Sequence, residues 1–109
     1  MKYLLIVNPV SGSGSARREV AAAEKAFRKR GHSIDVRFTQ GPGHAEALAR
    51  EGAAADYDVI IGGGGDGTIN EVLNGMAGSG KKLAIIPWGT GNVFATEMRF
   101  PRHIGAVCK

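Results

Sequence analysis

A chain of 109 residues is long enough for one small domain around one core, and its composition, 43% hydrophobic and 22% charged, excludes a disordered tail or a fibrous repeat. No apolar run approaches the roughly 20 residues of a membrane span, and Asn8-Pro9 closes the opening run too early for a signal peptide, so a cytoplasmic protein is expected. The formal net charge is +4, and the single cysteine, Cys108, excludes an internal disulfide.

Apolar runs alternate with amphipathic segments along the chain. The pattern predicts strands at 2–7, 33–38, 57–61 and 83–86, and helices at 16–31, 45–55, 69–76 and 92–98. Strands that alternate with helices require a parallel sheet that is covered on both faces. The sequence therefore predicts an α/β fold, a three-layer sandwich around a parallel, Rossmann-like sheet.

The first predicted helix carries the excess charge. Residues 15–31 hold six basic and two acidic side chains, and the rest of the chain is neutral. One face presents Ala16, Val20, Ala23 and Phe27, and the other presents Arg18, Lys25 and Lys29. The basic face is either a solvated outer surface or a patch that attracts an anionic membrane. Nucleic acid is not expected, because the aromatic residues form no stacking platform among the basic ones.

Glycine is the residue in excess: there are 17, about twice the average share, and they gather where strands should end. Gly12-Ser13-Gly14 begins a dinucleotide fingerprint, but Arg17 stands where its third glycine belongs. Residues 75–82 have a glycine and lysine pattern like that of a phosphate-binding P-loop. They run from helix to strand, however, and they lack the Ser or Thr that binds magnesium. A turn after a helix is the better interpretation of that segment.

The segment 62–71 meets the requirements of a phosphate site, because it follows a strand, opens a helix and offers several backbone amides. Thr68 and Glu71 have the spacing of a capping box, which leaves Glu71 either a cap or a functional residue. Asp66 would repel a phosphate unless it holds magnesium, a cation's water or a ribose hydroxyl.

Three further segments should meet this loop at the same edge of the sheet: Asn8, Thr39 and residues 87–92 each follow a different strand. Trp88 packs in the core or lies near the nucleotide. The convergence of four strand ends with small or amide side chains is typical of a nucleotide site.

Together these motifs resemble the diacylglycerol kinase catalytic domain family, which includes bacterial lipid kinases and sphingosine kinases. The resemblance is carried in chain order by Asn8-Pro9 with Ser11-Gly12, Thr39 with Gly43-His44-Ala45, Gly64-Gly65-Asp66-Gly67-Thr68 with Asn70-Glu71, and Gly89-Thr90-Gly91-Asn92. It implies a lobe of the type found in NAD kinases and diacylglycerol kinases, which binds ATP and Mg²⁺, with Asp66 as the catalytic and metal-binding residue. The residues that it assigns to nucleotide binding are Asn8, Ser11, Gly12, Thr39, Gly64, Gly65, Asp66, Gly67, Thr68, Ile69, Asn70, Glu71, Gly89, Thr90, Gly91 and Asn92.

The resemblance also implies that the nucleotide and the lipid are bound by two different lobes. Residues 1–109 would be the N-terminal ATP-binding lobe, and a C-terminal β-sandwich lobe with the catalytic base and the lipid contacts is expected to be absent. The lipid, a diacylglycerol-like molecule, would be met at a membrane surface, with peripheral attachment to the inner face and a homodimer as further expectations. Val93 stands where many members have Asp, which removes one carboxylate from the phosphate neighbourhood.

Two other functions fit the same motifs. An NAD kinase-like enzyme would use the same Gly-Gly-Asp-Gly-Thr element on a soluble dinucleotide. A nucleotide-binding regulatory module would bind ATP without catalysis. Asn8 to Gly12 and the segment 39–45 favour the lipid kinases over the NAD kinase-like enzyme. The length of the coding sequence would separate the lipid kinase from the regulatory module.

Overall fold

The computed structural model describes residues 1–9, 16–86 and 102–106. Within these ranges five strands and three helices alternate for most of the chain. They are β1 (Lys2–Val7), α1 (Ala16–Lys29), β2 (Ser33–Phe38), α2 (His44–Ala54), β3 (Val59–Gly63), α3 (Asp66–Met76), β4 (Lys82–Ile86) and β5 (Arg102–Ala106). The predicted helix at 92–98 lies outside the described residues.

The five strands form one sheet in the order β2-β1-β3-β4-β5. The first four strands are parallel, which confirms the predicted α/β fold, and β5 runs antiparallel to β4. Strand β5 was not predicted, because its short segment mixes Arg102 and His103 with glycine and lacks the apolar run that marked the other strands. The direction of chain winding reverses between β1 and β3, so the topological switch point lies there.

Helix α1 covers one face of the sheet. Val20, Ala23 and Phe27 are buried against β1 and β3, as the helical periodicity predicted, while Arg18, Lys25 and Lys29 are exposed. The Phe27 ring meets the Tyr3 ring edge-on, with 4.8 Å between the ring centroids. Edge-to-face contact of this kind adds to the burial of two large apolar surfaces.

Helices α2 and α3 cover the other face and pack closely against each other. Ala45, Ala49 and Gly52 form the buried side of α2. A Cβ atom at Gly75 of α3 would collide with the carbonyl oxygen of Glu46 and lie 2.7 Å from the Ala49 Cβ. Glycine is therefore required at position 75 for the two helices to approach this closely.

The glycine segment after β3 differs from the prediction. Strand β3 begins at Val59 and extends to Gly63, and helix α3 begins at Asp66, three residues before its predicted start. Gly62 and Gly63 remain in the strand because they pair with β1 and β4 on either side. The Ile69 side chain fills the space beside Gly62, where an added Cβ would lie 2.9 Å from the Ile69 Cδ1.

Polar side chains join the amino ends of the strands. The Lys2 ammonium donates to Asp56 at 2.8 Å, the Lys2 backbone N–H donates to Asp58 at 2.7 Å, and the Lys81 ammonium donates to the Tyr57 carbonyl at 2.6 Å. The hydrogen bond with Asp56 raises the pKa of Lys2, and the same bond lowers the pKa of Asp56. This group of contacts, the amino edge, fixes the start of β1 to the segment that precedes β3.

Candidate nucleotide site

The carboxyl ends of β1, β2 and β3 lie side by side. The Asn8 N–H donates to the Gly63 carbonyl at 3.1 Å, and the Thr39 N–H donates to the Val7 carbonyl at 2.8 Å. These two bonds hold the loops after β1 and β2 level with the glycine turn after β3. The three loops therefore open toward one place at the switch point, where open α/β sheets bind their ligands.

A cleft of about 530 Å³ lies between these loops and the first turns of α2 and α3. This volume is within the range of small-molecule sites. Its lining residues are Asn8, Pro9, Thr39, Gln40, Gly41, Pro42, Ala45, Gly67, Thr68 and Glu71. None of these described lining residues is lysine or arginine, so an anion in this cleft would rely on backbone amides.

The N-terminus of α3 supplies such amides. Gly64 has a φ of 151°, a backbone conformation that other residues rarely adopt, and Gly65 forms the N-cap in an extended conformation. No side chain of the described residues caps the helix. The amides of residues 66–68 precede the first helical hydrogen bond, from the Ile69 N–H to the Gly65 carbonyl, so they are donors at the positive end of the helix.

The N-terminus of α2 faces the same cleft with a different arrangement. Gly43 is its N-cap, and the Gly43 N–H donates to Glu71 Oε2 of α3 at 3.1 Å. In the preceding loop the Gln40 N–H donates to His44 Nδ1 at 2.9 Å. The Glu71 carboxylate, on the second turn of α3, thus links α3 to the N-terminus of α2.

The predicted capping box is therefore wrong. Because α3 begins at Asp66, Thr68 and Glu71 lie inside the helix rather than at its N-cap and third position. Thr68 is buried, with 8% of its surface exposed, and Glu71 caps the neighbouring helix instead of its own.

The structure brings together Asn8, Thr39, Gly67, Thr68 and Glu71 as cleft residues. Asp66 and Asn70 are exposed and four residues apart, so they share one face of α3 outside the described cleft lining. The Ile69 side chain packs beside Gly62. Six assigned positions in the first and last loops lie outside the described residues, and so do Trp88 and Val93. These six positions are Ser11, Gly12, Gly89, Thr90, Gly91 and Asn92.

Sequence reasoning did not single out Pro9, Gln40, Gly41, Pro42 and Ala45 as site residues, although they line the cleft. The signal that would have found them is their position, since four of the five lie in the loops that follow β1 and β2. Their backbone and apolar atoms shape the cleft without any distinctive side-chain chemistry.

Among residues 1–9, 16–86 and 102–106, no three His, Cys, Asp or Glu side chains gather in a group that could hold a metal ion. The helices in the same ranges include none with the length and apolar character needed to cross a bilayer.

The fold and the cleft define this chain as a doubly wound α/β protein with a candidate ligand cleft at its switch point. Comparison with known families matches residues 2–109 to the family described as "Diacylglycerol kinase catalytic domain". The chain belongs to this family.

Relatives and solved structures agree with this assignment. The chain is 39% identical over 101 residues to a diacylglycerol kinase of Bacillus subtilis (strain 168), covering 91% of this chain and 33% of that protein. It is 38% identical over 102 residues to a diacylglycerol kinase of Staphylococcus aureus (strain MRSA252), covering 92% of this chain and 32% of that protein. A crystal structure of a diacylglycerol kinase from Bacillus anthracis str. Sterne superposes with a TM-score of 0.66 at 37% identity, covering 87% of this chain and 33% of that one. The chain thus spans about a third of the length of these relatives.

Proposed function

We propose that residues 1–109 form the ATP-binding lobe of a lipid kinase that transfers the γ-phosphoryl group of ATP to the hydroxyl of a diacylglycerol-like lipid. In this proposal the catalytic base and the lipid-binding lobe belong to the part of the enzyme outside these residues. The relatives that the chain matches carry the name diacylglycerol kinase, and each is about three times as long.

One observation carries the proposal: three loops at the carboxyl edge of the sheet converge on a cleft of about 530 Å³ into which the N-terminus of α3 opens. An anion at that helix end would receive hydrogen bonds from backbone N–H groups and the attraction of the helix dipole. Gly67 and Thr68 would contact the phosphates there, and Thr39 would contact the nucleotide across the cleft.

The donor set suits Mg²⁺ that is bound chiefly by phosphate. Asp66 supplies an exposed carboxylate at the first turn of α3, close in sequence to the Thr68 hydroxyl. Mg²⁺ commonly takes one or two carboxylates together with phosphate oxygens and water, so one carboxylate is sufficient on the protein side. When bound, the ion neutralises charge on the phosphate oxygens.

The work of this lobe would be to position the triphosphate. In the reaction the lipid hydroxyl oxygen forms a bond to the γ-phosphorus, the bond from that phosphorus to the bridging oxygen breaks, and ADP leaves. The hydroxyl proton passes to the base outside residues 1–109. Backbone amides at the α3 N-terminus would hold the phosphates in line, which is where most of the acceleration in phosphoryl transfer arises.

The exposed basic face of α1 suits attachment to an anionic membrane surface, where the lipid substrate would be found. Arg18, Lys25 and Lys29 are exposed, and each basic side chain near such a surface contributes up to about 1 kcal/mol. Homodimer formation stays a prediction, which light scattering after size exclusion would test.

Thermal unfolding of the 109-residue chain tests the nucleotide site. With Mg²⁺ and about 1 mM ATP, and a Kd near 100 μM, ligand linkage predicts a stabilisation of about 1.4 kcal/mol, which corresponds to several degrees. NAD with Mg²⁺ and Mg²⁺ alone are the controls, and both should leave the midpoint unchanged. A shift with NAD and none with ATP, or no shift with either, would contradict the proposal.

A further inference from the structure

The hydrogen bond between Glu71 and Gly43 is the described side-chain bond that crosses from α3 to the loop before α2. It joins residues 28 positions apart at 3.1 Å. Because a carboxylate accepts this bond, it is stronger than a bond between neutral groups. Its location at the edge of the cleft gives it a direct relation to the ligand site.

Glu71 lies on the face of α3 that makes the closest contact with α2. Gly75 lies one turn further along α3, where a Cβ would collide with the Glu46 carbonyl of α2. Thr68, three residues before Glu71, lines the cleft on the same side of the helix. Glu71 therefore stands between a rigid helix crossing and the ligand cleft.

The segment that Glu71 restrains also lines the cleft. Thr39, Gln40, Gly41 and Pro42 form one wall, and Gly43, the N-cap of α2, ends this segment. At its other end the segment is held by the Thr39 N–H bond to Val7. The loop is thus fixed at both ends, by the sheet at Thr39 and by α3 at Gly43.

A carboxylate close to a phosphate site needs an explanation, because it repels the ligand. The Gly43 bond provides one that requires no contact with the nucleotide. We propose, on the basis of the function proposed above, that Glu71 is a positioning residue, which fixes Gly43 and thereby holds the wall at residues 39–42 in the shape that accepts the nucleotide.

Three variants separate this role from a direct contact. Glu71→Ala removes the acceptor, Glu71→Gln retains an oxygen acceptor without the charge, and Glu51→Ala removes an exposed glutamate of α2 as a matched control. Amide hydrogen exchange of the chain without ligand reports on Gly43 directly. Binding of ATP with Mg²⁺, measured by calorimetry, reports on the cleft, and thermal unfolding shows that each variant is folded.

We expect Glu71→Ala to speed exchange at the Gly43 amide by about tenfold or more and to weaken ATP binding by about three- to tenfold. Glu71→Gln should recover most of the Gly43 protection and most of the ATP affinity, and Glu51→Ala should match the unmodified chain in both. Amides of β1 and β3 should exchange at the same rate in all variants.

Two results would overturn the positioning role. One is unchanged Gly43 exchange in Glu71→Ala. The other is a loss of ATP affinity in Glu71→Gln as large as in Glu71→Ala while Gly43 stays protected, which would mean that the carboxylate itself meets the ligand. Absence of ATP binding by the unmodified chain would refute the proposed function instead, and Gly43 exchange would still decide whether Glu71 holds the loop.

Discussion

The two edges of the sheet are held together in different ways. At the amino edge, charged side chains join the strands and their loops, as in the bonds from Lys2 to Asp56 and from Lys81 to Tyr57. At the carboxyl edge, backbone bonds from Asn8 to Gly63 and from Thr39 to Val7 align the described loops with the sheet, and one carboxylate, Glu71, holds the far end of the loop before α2. These bonds place no basic side chain in the described cleft lining, so the helix N-termini are the source of positive potential there.

The contrast predicts that damage at the amino edge reduces stability and spares the ligand site. Phe27 packs on Tyr3 near this edge and is fully buried. Phe27→Ala should lower the free energy of unfolding by about 3–5 kcal/mol, because it leaves a cavity in the α1 core. Urea unfolding measures the loss.

Phe27→Leu is the control for this change, and it should lose much less stability because leucine refills most of the volume. The folded fraction of Phe27→Ala should bind ATP as the unmodified chain does. A large loss of affinity in that fraction would show that the two edges are not independent.

At the carboxyl edge, the feature most sensitive to substitution is the backbone conformation of the turn after β3. Gly64→Ala should cost about 1–3 kcal/mol, because φ at this position is 151°. Gly65→Ala is the neighbouring control: φ is −86° and an added Cβ meets nothing within 4 Å, so its stability should change by less than about 1 kcal/mol. Equal unfolding midpoints for the two variants would remove the argument that the turn after β3 requires glycine.

The smallest expected effect is a pH dependence at the amino edge. Tyr57 donates to Asp35 at 2.5 Å, and burial followed by this bond raises the pKa of Tyr57 above its usual 10.0. A raised pKa means that the protonated phenol favours the folded state below pH 10 and that this stability is lost as the pH rises through the folded pKa.

Tyr57→Phe removes the titrating group. Below pH 9 it should cost less than about 1 kcal/mol, because solvent screens the partly exposed pair. Its stability should then fall less steeply than that of the unmodified chain between pH 9 and 11. Parallel urea midpoints for the two proteins over this range would contradict the assigned cause.

Most of the fold was predictable because β1 to β4 and the three described helices each have a local signal. The apolar run at 2–7 and the periodicity of Val20, Ala23 and Phe27 are sufficient to place β1 and α1. The boundary between β3 and α3 was not predictable from local rules, since glycine disfavours both states and only the pairing of Gly62 and Gly63 with neighbouring strands decides it.

The candidate site also has features that were predictable from the sequence and features that were not. Positions after strand ends, such as Asn8 and Thr39, were found because parallel strands share one carboxyl edge. The partner of Glu71 was not found, because its bond to Gly43 depends on how α2 and α3 cross rather than on any spacing within the sequence. Tertiary packing, not local propensity, therefore determines what this carboxylate does.

The close crossing at Gly75 constrains how this protein can evolve. A methyl group at 75 would meet the Glu46 carbonyl, which no substitution at 46 can remove, and it would also meet the Ala49 Cβ. Replacing Ala49 by glycine relieves only the second of these clashes. Almost no single substitution at position 75 is therefore compatible with the fold. A larger residue becomes acceptable there only in a lineage where the α2 backbone has already moved outward.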